Sequence, residues 1–425
     1  MVLWLGLSQP RTCFPQVLVV VILAALLGPG GSIADSSGSR GAGGLEAMRD
    51  SGDLIAQREH AWMLLEKVSQ DEQGRARFEA WHGAGELFGA TPVTAPGIRG
   101  FTARDAGNAG TDSNADAALS ADIPVISYTL YNEAAYQHIR KWGLNRVAVL
   151  RRLQNAGPWD SEIRGDRSIP NFPAASMVLK SVWWPVARDV PTALPVWDPA
   201  KNPPRSTGNG YTSWQRVVAI ADEGTARSQA APVSFLGRSY TPAATVPLSA
   251  FHYVVVDASM ERALQADPES RRTGLMALGR LIEAGDYLVL VAANLATKEI
   301  QDWVWATYWW TDRPTQEPFG QGRPAALRLP WRNYLMQVAF DAAKPLEEDG
   351  GAHICFNPWL EGRFPDGGHG SGLTSNCQAC HRRASFPAVN FLPVTRGNPE
   401  RATDPAYAPG RLRTGFLWSI ALHAR

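Results

Sequence analysis

The chain has 425 residues, 45% of them hydrophobic, and a formal net charge of +1. That length and apolar content mark an ordinary globular protein with a large core, and four cysteines are too few for a small disulfide-stapled fold. Lysines and arginines form no long run, so a nucleic-acid partner is not expected.

Near the N-terminus, Arg11 precedes an apolar run over residues 17–27, then Gly28-Pro29-Gly30-Gly31 and the small residues Ser32 and Ala34. This is the plan of a cleavable secretory signal over residues 1–34. The run is shorter than the roughly 20 residues that span a bilayer, so the mature chain is expected to be soluble and exported, periplasmic in a Gram-negative cell. An uncleaved anchor is the alternative. Cys13 precedes the apolar core and leaves with the signal. No later segment is long and apolar enough to span, so no stable membrane span is expected in the mature protein.

Residues 35–121 read as a helical N-terminal region and a linker. Residues 36–44 are rich in Gly and Ser. Over 51–87, Leu54, Trp62, Leu65, Phe78 and Trp81 recur at roughly helical spacing. Residues 89–121 are dominated by Gly, Ala, Asp, Thr and Asn, a loop composition.

Residues 122–343 read as a strand-rich domain. Runs at 123–130, 176–184, 215–221, 252–256, 287–295 and 303–310 are rich in β-branched and aromatic residues and bounded by Pro, Gly or Asp, as strands are. Helical spacing appears over 132–153 and over 259–284, the latter interrupted at Asp267-Pro268. The Pro-rich stretch 185–204 is expected to be irregular. The 16 tryptophans, clustered at Trp183-Trp184, Trp303, Trp305 and Trp309-Trp310, read as core packing. The fold class is therefore α+β, a mixed or antiparallel sheet with helices and a loop-rich C-terminal segment.

That last segment, residues 344–425, contains Cys377-Gln378-Ala379-Cys380-His381, the attachment signature of a c-type haem. On one helical turn, residues three and four apart share a face, so Cys377 and Cys380 can reach two vinyl groups while His381 points at the iron. One covalent haem c is expected, with an unknown redox partner. The competing reading is a structural zinc site completed by Cys355 and His353 or His369. Export favours haem, which is attached covalently only beyond a membrane, and Cys355 then reads as a small buried hydrophobe. The glycine-rich loop 366–372 allows the backbone close to a flat cofactor. A terminal helix is expected over 412–421.

The second iron ligand would decide the chemistry. Candidates are Met336, which soft thioether ligation favours, then His353, His369 and His423. Arg382 and Arg383 could pair with haem propionates. Asn376 and Ser375 suit the cap of the attachment turn, and His381 needs an acceptor for its other ring nitrogen.

Small cytochromes of the common type place the motif near the N-terminus with a methionine ligand after it, and no methionine follows His381. The segments Ile123-Pro124-Val125-Ile126, Lys180-Ser181-Val182-Trp183, residues 297–307, Phe356-Asn357-Pro358-Trp359-Leu360-Glu361 and residues 375–381 resemble an uncharacterised family of exported, single-haem cytochrome c domain proteins. The resemblance runs from near residue 120 to the end. It implies that the strand-rich region and the haem segment form one architecture, and carries over only Cys377, Cys380 and His381. The function expected is electron transfer. An open-iron haem oxidoreductase and a zinc-holding binding protein are the alternatives.

Overall fold

In a computed structural model of the chain, the described residues are 41–70, 75–89, 123–156, 167–203, 210–221, 232–240, 245–342, 344, 353–363, 372–388 and 410–425. The expected signal at 1–34, nearly all of the linker and His369 with loop residues 366–371 lie outside them.

Helices α1 (Ala42–Ser51) and α2 (Leu54–Ser69) come first, then the short β1 (His82–Gly83) and α3 (Ala84–Phe88). Asp53 caps α2 by accepting from the Ala56 amide at 3.0 Å. The apolar spacing read over 51–87 is thus divided between α2, α3 and the turns between them. Strand β2 (Ile126–Tyr131) leads into α4 (Glu133–Trp142) and α5 (Val147–Asn155). Gly143, at φ 64°, takes the left-handed conformation that ends α4, so the spacing over 132–153 belongs to two helices.

Next come β3 (Arg167–Ser168), the long β4 (Met177–Val186), β5 (Thr192–Pro195) and β6 (Val217–Ala221). The Pro-rich stretch is therefore not wholly irregular: β5 pairs antiparallel with β6 at the edge of a small sheet, where Pro195 is tolerated. Strands β7 (Val233–Phe235) and β8 (Arg238–Tyr240) form a hairpin, and β9 (Thr245–Pro247) runs parallel to β6. After β10 (Tyr253–Val255), α6 (Ala258–Ala266) and α7 (Pro268–Leu278) divide at Asp267-Pro268. The Asp267 carboxylate accepts from the Ser270 amide at 2.7 Å, and Pro268 fills the first helical position, which needs no N–H.

The chain closes with β11 (Tyr287–Thr297), β12 (Val304–Trp310), β13 (Tyr334–Ala339), α8 (Cys377–His381), β14 (Ser385–Phe386), β15 (Leu412–Arg413) and α9 (Trp418–His423). The terminal helix thus starts at Trp418, and its expected first residues are in strand.

The main sheet has seven strands in the order β1-β2-β4-β11-β12-β13, with β10 added beside β11, and every pair in it is antiparallel. The class is α+β with antiparallel pairing dominant. Side chains alternate across a strand, so Trp305, Thr307 and Trp309 face one side of β12 while Ala306, Tyr308 and Trp310 face the other. Register aligns Tyr131, Val178, Ala296, Trp305 and Ala339 in one row, and Thr129, Lys180, Asn294, Thr307 and Gln337 in the next row on the same face. The opposite face receives α2, where the Tyr308 hydroxyl donates to the Ala61 carbonyl and Arg58 Nη2 donates to the Met336 carbonyl at 3.0 Å.

Two buried clusters follow from this. The larger contains Trp62 of α2, Tyr308 and Met336; the smaller contains Trp303, Trp305, Cys355 and Cys377 beneath α4, α5 and α9. Among the described residues no helix is long and apolar enough to cross a membrane.

Candidate functional site

The motif is one turn of helix mounted at the end of the main sheet. Asn376 caps α8, its Oδ1 accepting from the amides of Gln378 at 2.9 Å and Ala379 at 3.2 Å. Its Nδ2 donates to the His353 carbonyl at 2.9 Å, so the cap is itself anchored. Cys355 pairs with Asn376 as an isolated parallel bridge, with Cys355 N to Ser375 O and Cys377 N to Cys355 O both at 3.0 Å. Cys355, read from sequence as a bystander, is thus laid beside the motif.

Gln378 is fully buried. Its Nε2 donates to the carbonyls of Asp302 at 3.0 Å, Trp303 at 3.1 Å and Phe340 at 3.1 Å. These carbonyls stand just before β12 and just after β13, so an amide in a variable position of the motif fastens α8 to two strand ends. Sequence reasoning gave Gln378 no role, and no local signal marks it.

Cys377 and Cys380 are both buried. Cys377 Sγ donates to the Cys355 carbonyl at 3.2 Å. Its contact with Cys355, and then burial, push the Cys377 thiol well above its ordinary range, so it remains protonated.

His381 is half-buried, and its Nδ1 lies 2.8 Å from the Phe416 carbonyl. A carbonyl only accepts, so Nδ1 carries the proton and the in-plane lone pair is on Nε2. Nε2 is bonded to no described residue. Burial lowers the His381 pKa to about 4, with Lys180 adding in the same direction and the Phe416 carbonyl opposing, so the ring is neutral at neutral pH. The carbonyl is aimed by backbone strain: Gly415 at φ 59° and Phe416 at φ 71° are both left-handed, which for phenylalanine costs on the order of 1 kcal/mol or more. Thr414 supports the turn, its hydroxyl donating to the Leu417 carbonyl at 2.9 Å. Trp305 covers the imidazole, ring centroids 4.0 Å apart at 34°, and its buried Nε1 has no hydrogen-bond partner among the described residues.

The neighbouring polar row holds the segment that carries Cys355. Phe356 N donates to Gln337 Oε1 at 3.0 Å, Thr307 Oγ1 donates to the Phe356 carbonyl at 2.9 Å, and Asn357 Nδ2 donates to Asn294 Oδ1 at 2.9 Å. Glu361 closes the row, accepting from Asn357 N and from Asn294 Nδ2, and burial raises its carboxyl to about 7.

The remaining candidates do not all converge on His381. Met336 requires a correction: it pairs in register with Tyr308, so its side chain enters the α2 face, while Trp305 and His381 lie on the other. A strand's alternation leaves it no way round the sheet. His353 Nε2 lies 3.1 Å from the Val338 carbonyl and is engaged there as a donor. His423 is half-buried on α9, 6.0 Å from the Phe88 ring, and burial lowers its pKa to about 4. The Arg382 guanidinium pairs with Asp302, and Arg383 is buried. Among the described residues no group of three or more His, Cys, Asp or Glu is placed to hold a metal ion.

No protein-family model, curated protein or solved structure matches the chain.

Proposed function

We propose that this chain is an exported, periplasmic c-type cytochrome that carries one haem bonded to Cys377 and Cys380, with His381 as the proximal iron ligand, and that it serves electron transfer. The observation that carries the reading is the state of His381: a neutral ring whose Nδ1–H is spent on the Phe416 carbonyl and whose Nε2 is bonded to no described residue. That is the arrangement that fixes the tautomer and orientation of a metal-binding imidazole.

The donor set fits the group in two further respects. The thiols stand three residues apart on one capped turn, neither of them in a disulfide, and the raised pKa of Cys377 keeps it as the S–H that adds across a vinyl group. The Trp305 indole N–H beside the imidazole, unpartnered among the described residues, is a buried donor with capacity for an anionic acceptor such as a propionate. The haem would supply one-electron chemistry, its potential set by the axial ligands and by their burial. The chain supplies a rigid mount, through Gln378 and Asn376, and an oriented neutral ligand.

The test is expression with a haem-ligation apparatus in an exported compartment. Covalent haem c should survive denaturation and give one haem per chain, and colourless protein overturns the reading. Cys377→Ala combined with Cys380→Ala should abolish covalent attachment.

A second reading, a haem oxidoreductase with an open iron site, is favoured by Met336, which enters the opposite face of the sheet, and by His353, whose Nε2 is engaged by the Val338 carbonyl. Carbon monoxide separates the two: prompt binding to the reduced protein supports the open site, and indifference supports a six-coordinate carrier.

A further inference from the structure

Helices α4 and α5 meet at a corner where the near-neutrality of the whole chain breaks down. Arg140, Lys141, Arg146, Arg151 and Arg152 are all exposed there, and the only carboxylate in residues 133–156 is Glu133 at the far end of α4. None of the five cations pairs with a carboxylate among the described residues. These charges form no long run in sequence because they are spread over two consecutive helices joined by the short turn at Gly143.

Trp142 stands among them, 46% exposed, with Lys141 Nζ 5.8 Å from its ring centroid. An indole left in water forgoes roughly 2 kcal/mol of burial, and Trp and Arg together are the residues enriched at protein interfaces. Beneath it the rings continue inward. Trp142 lies 6.5 Å from His138, His138 lies 4.3 Å from Phe172, and Phe172 lies 5.4 Å from Trp303. Trp142 and His138 are four apart on α4 and so share a face. His138 is buried and donates from Nε2 to the Pro170 carbonyl at 2.9 Å, and burial lowers its pKa, so that ring is neutral. The series ends against the motif, since the Trp303 carbonyl accepts from Gln378 and Trp303 shares a buried cluster with Cys377.

We propose that the α4–α5 corner is the docking face for an acidic electron-transfer protein, and that Trp142, His138, Phe172 and Trp303 form the route between the docked partner and the motif helix. The proposal rests on the haem reading above. In the haem-loaded chain the docked partner would give up one electron and the ferric haem would accept it, with no proton or atom transferred. Electron tunnelling weakens exponentially with distance and faster through gaps than through packed atoms, which gives a contiguous ring series its value. A nucleic acid or anionic membrane would need the cations alone and would make no use of rings running inward.

The test uses the haem-loaded full chain and reduced flavodoxin, a small acidic one-electron donor. Reduction of the haem should slow as ionic strength rises, and Arg140→Glu with Lys141→Glu should slow it about tenfold or more at low salt and weaken flavodoxin binding, measured by calorimetry, by a similar factor. Phe172→Leu, which alters nothing on the surface, should keep the affinity and slow the first-order electron step several-fold. Reduction insensitive to the charge reversal overturns the docking face, and an unchanged first-order step in Phe172→Leu overturns the ring route. Loss of binding to anionic vesicles or duplex DNA in the charge-reversed protein, with flavodoxin kinetics unchanged, overturns the proposal in favour of a polyanion surface. Protein that carries no haem overturns the haem reading itself and this proposal with it.

Discussion

Trp305 and Trp309 stand four residues apart on the same face of β12, both buried, both with an indole N–H that has no hydrogen-bond partner among the described residues. Their surroundings differ. Trp309 sits among Trp197 at 5.6 Å, Phe319 at 5.4 Å and Phe356 at 6.0 Å, a closed aromatic cluster. Trp305 lies against the His381 imidazole at 4.0 Å. The strand treats the two positions alike. What separates a core tryptophan from a site tryptophan is the segment that returns across the sheet, which brings Phe356 to one and α8 to the other.

Substituting both tests this most strongly. Trp309→Ala and Trp305→Ala should each cost about 4 kcal/mol in denaturant unfolding, the usual penalty for removing a buried aromatic ring. Only Trp305→Ala should alter the spectrum of the haem-loaded protein. Equal spectral changes in the two variants would break the distinction.

Met336→Ala comes next. The loss should be about 3 kcal/mol of stability from the α2 face, with the haem spectrum unchanged because the residue is on the wrong side of the sheet. Conversion to an open-iron spectrum would return Met336 to the ligand role and reverse the assignment of faces.

Gln378→Leu removes a donor from three carbonyls and should cost about 2 kcal/mol. Because the change loosens the mount of α8 and not its ligands, haem incorporation should fall while the spectrum of the fraction that incorporates stays the same. Full incorporation at unchanged stability would show that the mount does not depend on this side chain.

The smallest effect is a pH dependence. The Glu361 carboxyl is raised from its ordinary 4.5 to about 7 in the folded chain. A raised folded pKa means that the unfolded chain releases its proton first, so the stability contribution is complete below pH 4.5, is lost as the pH rises toward 7, and is level above that. Melting temperatures of wild type and Glu361→Gln should therefore diverge between pH 5 and pH 8, the wild type losing more. A constant difference across that range would mean the carboxyl titrates normally.

Much of the scaffold was legible because its signals are local. The β-branched and aromatic runs read at 123–130, 176–184, 287–295 and 303–310 became the central strands β2, β4, β11 and β12, with ends shifted by up to three residues, and Asp267-Pro268 divided α6 from α7 through a cap and a proline that act within one turn. Where the reading went astray, the deciding contact was remote. Strand β13 has no alternating pattern because it is buried on both faces, and β5 was obscured by the prolines at its ends. Gly143 cut a continuous helical period because its φ, and not its hydrophobicity, ends α4.

The site divides in the same way. Spacing by itself determined that Cys377, Cys380 and His381 share one turn and that Asn376 can cap it, because residues three and four apart meet on any helix. Only the tertiary structure decided which carbonyl takes the His381 Nδ1 proton, that Cys355 lies beside Cys377, and that Met336 faces away. Those contacts join residues 35, 22 and further positions apart, and strand register and a left-handed turn at Phe416, neither written in local pattern, are what bring them together.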